Sequence, residues 1–318
     1  MEKTDRKVVL EVLAAPSFNN VLVACHQTPD GDAVGSAFSL VWALRKLGKH
    51  ARFYCADPVP PVFSHIADCD PGDDFVPEHF VTVDVASPEL LGKCDFAERV
   101  EVAIDHHRIN TVSAPYRWID PESASCGEIV LQIVSSLGVE PDEAMAGALF
   151  TAVTTDTGCF RYSNTNENTF LAAAFLSRYA GKGQFYGIIK KIFETKSFLQ
   201  LKLDAWCAEN VELCCDGKCA FLRIDKSVMD EFSSAYGDWD NAVNVIRKIE
   251  GVQVSVVLKE KEKGLQKVSV RSEAGFDAAE FCRAFGGGGH RAAAGCSFES
   301  TPAEAEALLK DALKKAGL

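Results

Sequence analysis

Short apolar runs rich in branched and aromatic residues alternate with segments of helical period through the first half of the chain, and few folds accommodate that alternation. Val21 to Cys25, Arg52 to Cys55, Phe80 to Val85 and Val100 to Ile104 read as buried strands. An amphipathic stretch around Val8 to Leu13 precedes them. From Gly31 to Leu47, the residues Val34, Phe38, Val41, Trp42 and Leu47 recur at helical spacing, with Gly48 at the stop position. Ala124 to Leu137, Pro141 to Val153 and Asn168 to Tyr179 read as further helices. Strands alternating with helices imply an α/β fold, a parallel sheet with helices on both faces. Such a sheet places ligands at the carboxyl ends of its strands.

Beyond Gly181-Lys182-Gly183 the pattern changes. Phe185 to Glu209 reads as one long helical connector, so the chain is expected to divide into residues 1–184, a helical linker over 185–209, and a smaller α+β domain over 210–318. In that domain Val211 to Cys215 and Cys219 to Ile224 flank an Asp216-Gly217 hairpin turn. Gly251 to Leu258 and Gln266 to Arg271 form a second strand pair around the charged loop Lys259 to Gly264. Helices are expected at Trp239 to Ile249 and Pro302 to Lys315.

The chemistry-bearing residues fall at the strand ends. His26, Asp30 and Asp32 follow the first strand, Asp84 ends another in Val83-Asp84-Val85, and Asp105-His106-His107 ends a third. Asp156 follows the apolar helix in Thr155-Asp156-Thr157-Gly158. A single aspartate after a strand is ordinarily a turn or a helix cap. Four such segments on one parallel sheet instead converge on one cleft, where so many carboxylates repel unless cations neutralise them. Oxygen and imidazole donors without thiolate favour manganese or magnesium over structural zinc, and the imidazoles tilt the choice toward Mn2+. More donors are present than one ion requires, which points to two divalent cations about 3.5 to 4 Å apart sharing a carboxylate, an arrangement suited to phosphoryl chemistry.

A second feature is Phe285-Gly286-Gly287-Gly288-Gly289-His290-Arg291, followed by three alanines. It reads as a backbone anion nest leading into a closely packed helix whose N-terminus would face a phosphate, with His290 and Arg291 as added donors. It lacks the Gly-Lys-Ser/Thr ending of a Walker loop. Arg271, at a strand end, is a candidate third contact. Cys207, Cys214, Cys215 and Cys219 fit no common zinc spacing and read as reduced structural thiols. Trp206, Trp239 and Phe276 read as core, and Arg161 and Tyr162, just after Asp156, are candidates to line the cleft.

These motifs together resemble the DHH/DHHA1 phosphoesterase family over nearly the whole chain. His26 to Ser36, Val83 to Ser87, Asp105-His106-His107 and Thr155 to Gly158 are similar to its four metal motifs, and the glycine run with His290 to its DHHA1 signature. The resemblance implies that His26, Asp30 and Asp84 hold one Mn2+ while Asp32, Asp84, His106 and Asp156 hold another. Asp84 would bridge, and Asp84, Asp105 and His107 would serve catalysis, His107 facing the scissile phosphate. Arg271, Gly287, Gly288, Gly289, His290 and Arg291 would bind substrate. The two-domain plan is most similar to the branch of stand-alone oligoribonucleases and 3′-phosphoadenosine 5′-phosphate (pAp) phosphatases. A phosphodiesterase of cyclic di-AMP or linear pApA, and a non-catalytic nucleotide sensor, remain alternatives at this point, and the oligomeric state, a homodimer included, stays open.

Charge narrows the partners. With 33 basic against 45 acidic residues the net charge is −12, which argues against tracking along long nucleic acid, where affinity grows with the phosphates neutralised by Lys and Arg. Five of the acids belong to the candidate centre, where cations would reverse the local sign. Short RNA oligonucleotides or small nucleotides are therefore the expected partners. No apolar run approaches the roughly 20 residues of a membrane span, and Met1 to Arg6 does not open a signal peptide. With 12 scattered cysteines and no sign of export, a reducing cytoplasmic setting is expected.

Overall fold

The structure, a computed structural model, describes residues 6–70, 72–232, 239–273 and 275–318. Met1 to Asp5 of the opening segment thus lies outside the described residues. The chain divides into two compact units, Met1–Thr195 and Lys196–Leu318.

The first unit runs α1 (Arg6–Ala14), β1 (Val21–Ala24), α2 (Gly31–Lys46), β2 (Ala51–Tyr54), the single turn α3 (Ser64–Ala67), β3 (His79–Val83), β4 (Val102–Asp105), β5 (Tyr116–Ile119), α4 (Cys126–Ser136), α5 (Glu143–Asp156), α6 (Glu167–Leu176) and α7 (Gln184–Ile189). Its five strands are all parallel in the order β2-β1-β3-β4-β5. Order reverses between β1 and β3, and the crevice outside the carboxyl ends at such a switch point is where open α/β sheets bind ligands. His26 follows β1 and Asp84 follows β3, so both stand at that crevice.

Alternate strand residues feed two cores. Val21, Val23, Val81, Val83, Val102 and Ile104 pack with α2, α4 and α5, whereas Leu22, Ala24, Phe80 and Ala103 pack with Leu91, Phe96 and Val112. The second face is thus covered by 3-10 turns (Pro88–Leu91, Ala97–Arg99) and loops rather than by long helices. Pro88 and Gly92 interrupt that segment too often for a helix to propagate.

Phe185 to Glu209 is not one helix. After α7 a π-helical turn, Lys190–Glu194, gives way to extended Thr195, and Ser197 with Gln200 forms a capping box that starts α8 (Phe198–Asn210). Ile188 packs in the first unit's core; Leu203 and Cys207 pack in the second's.

The second unit continues with β6 (Glu212–Cys214), β7 (Cys219–Ile224), α9 (Lys226–Phe232), α10 (Ala242–Ile246), β8 (Val254–Glu262), β9 (Leu265–Ser272), α11 (Ala278–Arg283), β10 (Gly288–His290), β11 (Ala293–Glu299) and α12 (Pro302–Lys315). Six strands form one mixed sheet in the order β10-β11-β9-β8-β7-β6, with β7 and β8 parallel. The expected loop Lys259 to Gly264 is mostly strand: β8 extends to Glu262, leaving a tight turn at Lys263-Gly264, where Gly264 supplies the positive φ. The expected helix Trp239 to Ile249 shortens to a 3-10 turn, Trp239–Asn241, and α10. Trp206 packs edge-on against buried Trp239, consistent with a core role for both.

The glycine run corrects the sequence reading most. It leads into no helix: β10 and β11 form an antiparallel hairpin, with Gly288 opposite Gly295 and His290 opposite Ala293. A Cβ on Gly287 would lie 2.2 Å from the Gly295 carbonyl oxygen, and one on Gly289 would lie 2.6 Å from that of Ala293. These glycines permit two backbones to approach, and the alanines belong to a strand.

Candidate metal centre

Each element end delivers one part of the centre. Leaving β1, the His26 ring donates from Nδ1 to the Gln27 carbonyl at 2.8 Å, which turns Nε2 toward Asp30 Oδ1 (3.7 Å) and Asp84 Oδ2 (3.6 Å). Asp30 is also the N-cap of α2, accepting from the Ala33 amide at 3.0 Å. Two residues on, fully buried Asp32 accepts from the amides of Cys126 (2.7 Å) and Gly127 (2.8 Å) at the start of α4 and from Ser36 Oγ (3.0 Å). A helix N-terminus is the natural place for a buried carboxylate.

Asp84 is held differently. It has φ 59°, the left-handed region costly for a residue with a Cβ, and its side chain is 3% exposed. Its Oδ2 faces His26, while its Oδ1 lies 3.7 Å from His106 Nε2 and 3.6 Å from His107 Nδ1. That buried Oδ1 has no hydrogen-bond partner. An orphaned carboxylate oxygen in the interior costs free energy unless something absent from the polypeptide satisfies it.

His106 donates from Nδ1 to the Ser123 carbonyl at 3.3 Å, which aims Nε2 at Asp156 Oδ2 (3.2 Å) and Asp32 Oδ2 (3.7 Å). Asp156 ends α5, and α5 approaches α2 at backbone distance because Gly35 has no side chain: a Cβ there would lie 2.3 Å from the Ala148 carbonyl oxygen. Asp105 does not join the donors. It is buried and accepts from the amides of His106 and His107 and from His107 Nδ1 at 2.7 Å, so it positions His107.

Three overlapping groups place one donor atom from each residue within 4.8 Å: His26 with Asp30 and Asp84, Asp32 with His106 and Asp156, and Asp84 with His106 and His107. Without cations the cluster holds protons instead. Burial and the neighbouring charges of Asp84, Asp156 and Asp30 push Asp32 well above its usual value. Burial raises Asp156 to about 7 despite the opposing His106. Burial works against charge on His26, yet hydrogen bonds to Asp30 and Asp84 bring it to about 11, and Asp105 raises His107 to about 9. His26 and the other paired groups hold Asp30 below the usual carboxylate range against the effect of burial. Such a cluster fits hard divalent cations bound by oxygen and imidazole nitrogen.

In the second unit, Arg271 (β9) is paired with Ala293 (β11), which is paired with His290 (β10). Directly paired residues share a sheet face, so Arg271 and His290 flank one alanine on one face. Arg291 and the glycines occupy the exposed hairpin. Arg161 and Tyr162 follow three successive left-handed residues, Gly158, Cys159 and Phe160, in the turn after Asp156. Sequence reasoning did not identify Ser123, Cys126, Gly127 or Asn164 as supports. Asn164 Nδ2 donates to the carbonyls of Asp156 (3.1 Å) and Ala124 (3.0 Å). The pattern Ser125-x-x-Glu128 could have marked the start of α4; nothing local marks the asparagine.

Residues 20–153 match the DHH family, N-terminal domain, and residues 219–317 match the DHHA1 domain. The chain belongs to the DHH family. It is 32% identical over 300 residues, 92% of this chain and 88% of the relative, to the bifunctional oligoribonuclease and PAP phosphatase NrnA of Thermus thermophilus. It is 25% identical to the NrnA of Bacillus subtilis, over 92% of this chain and 94% of that one. Among solved structures, an exopolyphosphatase-related protein from Bacteroides fragilis superposes with a TM-score of 0.82 at 24% identity, over 93% and 92% of the two chains. RecJ from Thermus thermophilus in complex with Mn2+ superposes with a TM-score of 0.50 at 16% identity, over 98% of this chain and 56% of that one. As a member of this family the chain is a phosphoester hydrolase. No helix among the described residues is long and apolar enough to cross a membrane.

Proposed function

We propose that this protein is a Mn2+-dependent phosphodiesterase that degrades very short RNA oligonucleotides to nucleoside monophosphates and also dephosphorylates pAp. In this reading residues 1–184 carry the hydrolytic centre, residues 210–318 grip the nucleotide, and both act in the cytoplasm. The observation that carries it is Asp84, strained, buried and turned so that its two oxygens face two separate donor groups. His26, Asp30 and Asp84 would hold one cation, and Asp32, Asp84, His106 and Asp156 the other. When bound, the cations supply Lewis acidity at the phosphate and acidify the attacking water.

The chain's own residues do the rest. Asp84 keeps the two donor groups in register. Asp105 fixes His107 through Nδ1, leaving Nε2 to donate to a phosphoryl oxygen as charge grows there. Water oxygen forms the new bond to phosphorus, the bond to the departing sugar oxygen breaks, and that oxygen takes a proton. Arg271, His290 and Arg291, with the hairpin amides of Gly287, Gly288 and Gly289, hold phosphate remote from the reacting bond.

The test is one substrate panel run with Mn2+ and with Mg2+: a 5-mer RNA, pAp, pApA and cyclic di-AMP. The reading expects Mn2+-dependent turnover of the 5-mer and pAp. Preference for cyclic di-AMP or pApA with neglect of the 5-mer would replace it, and no hydrolysis of any substrate would leave a nucleotide sensor.

A further inference from the structure

His107 is held from behind by more than Asp105. Asn110 Nδ2 donates to Asp105 Oδ2 at 2.6 Å and to the Val85 carbonyl at 2.8 Å. Its Oδ1 accepts from Arg117 at 2.7 Å and from the Val112 amide at 3.1 Å. Two acceptors on one side and two donors on the other fix the orientation of this amide, and all four of its hydrogen-bonding positions are used. Arg117, on β5 and largely buried, also donates to the Asn110 backbone carbonyl at 3.0 Å. A chain of side chains thus runs from Arg117 through Asn110 and Asp105 to His107.

Asp105 has two carboxylate oxygens with distinct duties. Oδ1 serves His107 Nδ1 and the amides of His106 and His107, and Oδ2 serves Asn110. Were Asn110 unable to donate, Oδ2 would lose its partner in a buried site, and the carboxylate would be free to rotate and release the imidazole. The Val85 carbonyl, one residue past Asp84, ties the same amide to the end of β3.

We propose that Asn110 and Arg117 are positioning residues for hydrolysis, acting through Asp105 to fix the orientation of His107 toward the substrate phosphate. The inference rests on the proposed phosphoester hydrolysis. Asn110→Asp is the informative variant: it keeps the shape and the accepting side that faces Arg117 and Val112, and in its ionised form it sets a carboxylate oxygen against Asp105 in place of the donating amide. At saturating Mn2+ its kcat on pAp should fall about 10- to 100-fold, the usual cost of losing a partner behind a functional histidine. KM should stay near the wild-type value, because the lost support acts only as charge develops.

A double-mutant cycle separates positioning from general loosening. In a His107→Ala background Asn110→Asp should cost almost nothing further, since the residue through which it acts is gone. Arg117→Met, which keeps the packed stem, should lower kcat in the same direction, and Arg117→Lys should recover part of it. In Mg2+-loaded protein labelled at histidine, the 15N resonances of His107, assigned by comparison with His107→Ala, should show Nδ1 protonated in the wild type and altered in Asn110→Asp. An equal cost of Asn110→Asp with and without His107 would overturn the proposal. So would unchanged His107 resonances in a variant whose kcat has fallen. A wild type inactive on the whole substrate panel would instead sink the functional reading, a result distinct from either.

Discussion

Raising pH should make the metal-free protein less stable and Mn2+ a stronger stabiliser. Asp156, normally near 3.8, holds its proton in the folded metal-free state up to about 7. A folded pKa above the unfolded one contributes stability that is complete below 3.8 and lost as pH rises through 7. His26, raised from 6.5 to about 11, acts with the same sign: its contribution is complete below 6.5 and lost toward 11. From pH 5 to about 7 Asp156 erodes the metal-free fold, and from about 6.5 upward His26 does. Asp30 and Asp105, held below their usual value, act oppositely, and their contribution disappears only as pH falls below about 4. Full loading of the centre must displace the proton of Asp156 below pH 7, that of His26 throughout pH 5 to 9, and any proton that Asp32 still holds. At least two protons per loading event make the overall binding constant rise at least about a hundredfold per pH unit below 7, and at least one makes it rise at least about tenfold per unit above it. By ligand linkage the first regime adds at least about 2.7 kcal/mol of Mn2+ stabilisation per pH unit at fixed excess metal, enough to move an unfolding midpoint by several degrees. Differential scanning calorimetry with EDTA and with Mn2+ at half-unit steps from pH 5 to 8 measures both curves. A metal-free midpoint that climbs from pH 5 to 7, or a Mn2+ increment independent of pH, would refute the reasoning.

Four substitutions test other joints of the structure. Gly35→Ala places a methyl 2.3 Å from the Ala148 carbonyl and must part α2 from α5. Chemical unfolding should show a loss of about 1 to 3 kcal/mol, and Mn2+ titration should show weaker binding because Asp32 and Asp156 separate. Gly287→Ala forces β10 away from β11. Its KM for pAp should rise several-fold while Mn2+ binding, measured by calorimetry, stays as in the wild type. Arg271→Ala and His290→Ala should each raise KM with little change in kcat, as expected for phosphate contacts made equally in ground and transition states; steady-state kinetics on pAp distinguish this from a fall in kcat.

What was legible in the sequence follows from topology. Because all strands of the first sheet are parallel, residues that close a strand share one edge, and His26, Asp84 and Asp105 could be aligned without any knowledge of loops. Asp156 was legible for a related reason, as it ends the helix that packs against α2. Long-range backbone contacts were not. β5 went unread because Arg117 breaks the apolar run of its four residues, Tyr116–Ile119, between Pro115 and Pro121. The run Gly286 to Gly289 followed by alanines looks locally like a loop entering a helix. Only the opposing Gly295 and Cys296 backbone, distant from any local signal, makes it a hairpin. Asn110 and Asn164 carry no pattern at all, since their roles depend on which carboxylates and carbonyls the fold brings to them.

Asp84, as the carboxylate shared by two cation sites, is the joint on which the proposed centre depends most. Turnover of pAp and a 5-mer RNA by Asp84→Ala, purified in parallel with the wild type and assayed across a Mn2+ titration, tests it. Removing the shared donor should cost several kcal/mol of transition-state stabilisation, about a thousandfold or more in rate, at every Mn2+ concentration. An Asp84→Ala protein that reaches the wild-type rate at high Mn2+ would contradict the shared-carboxylate centre.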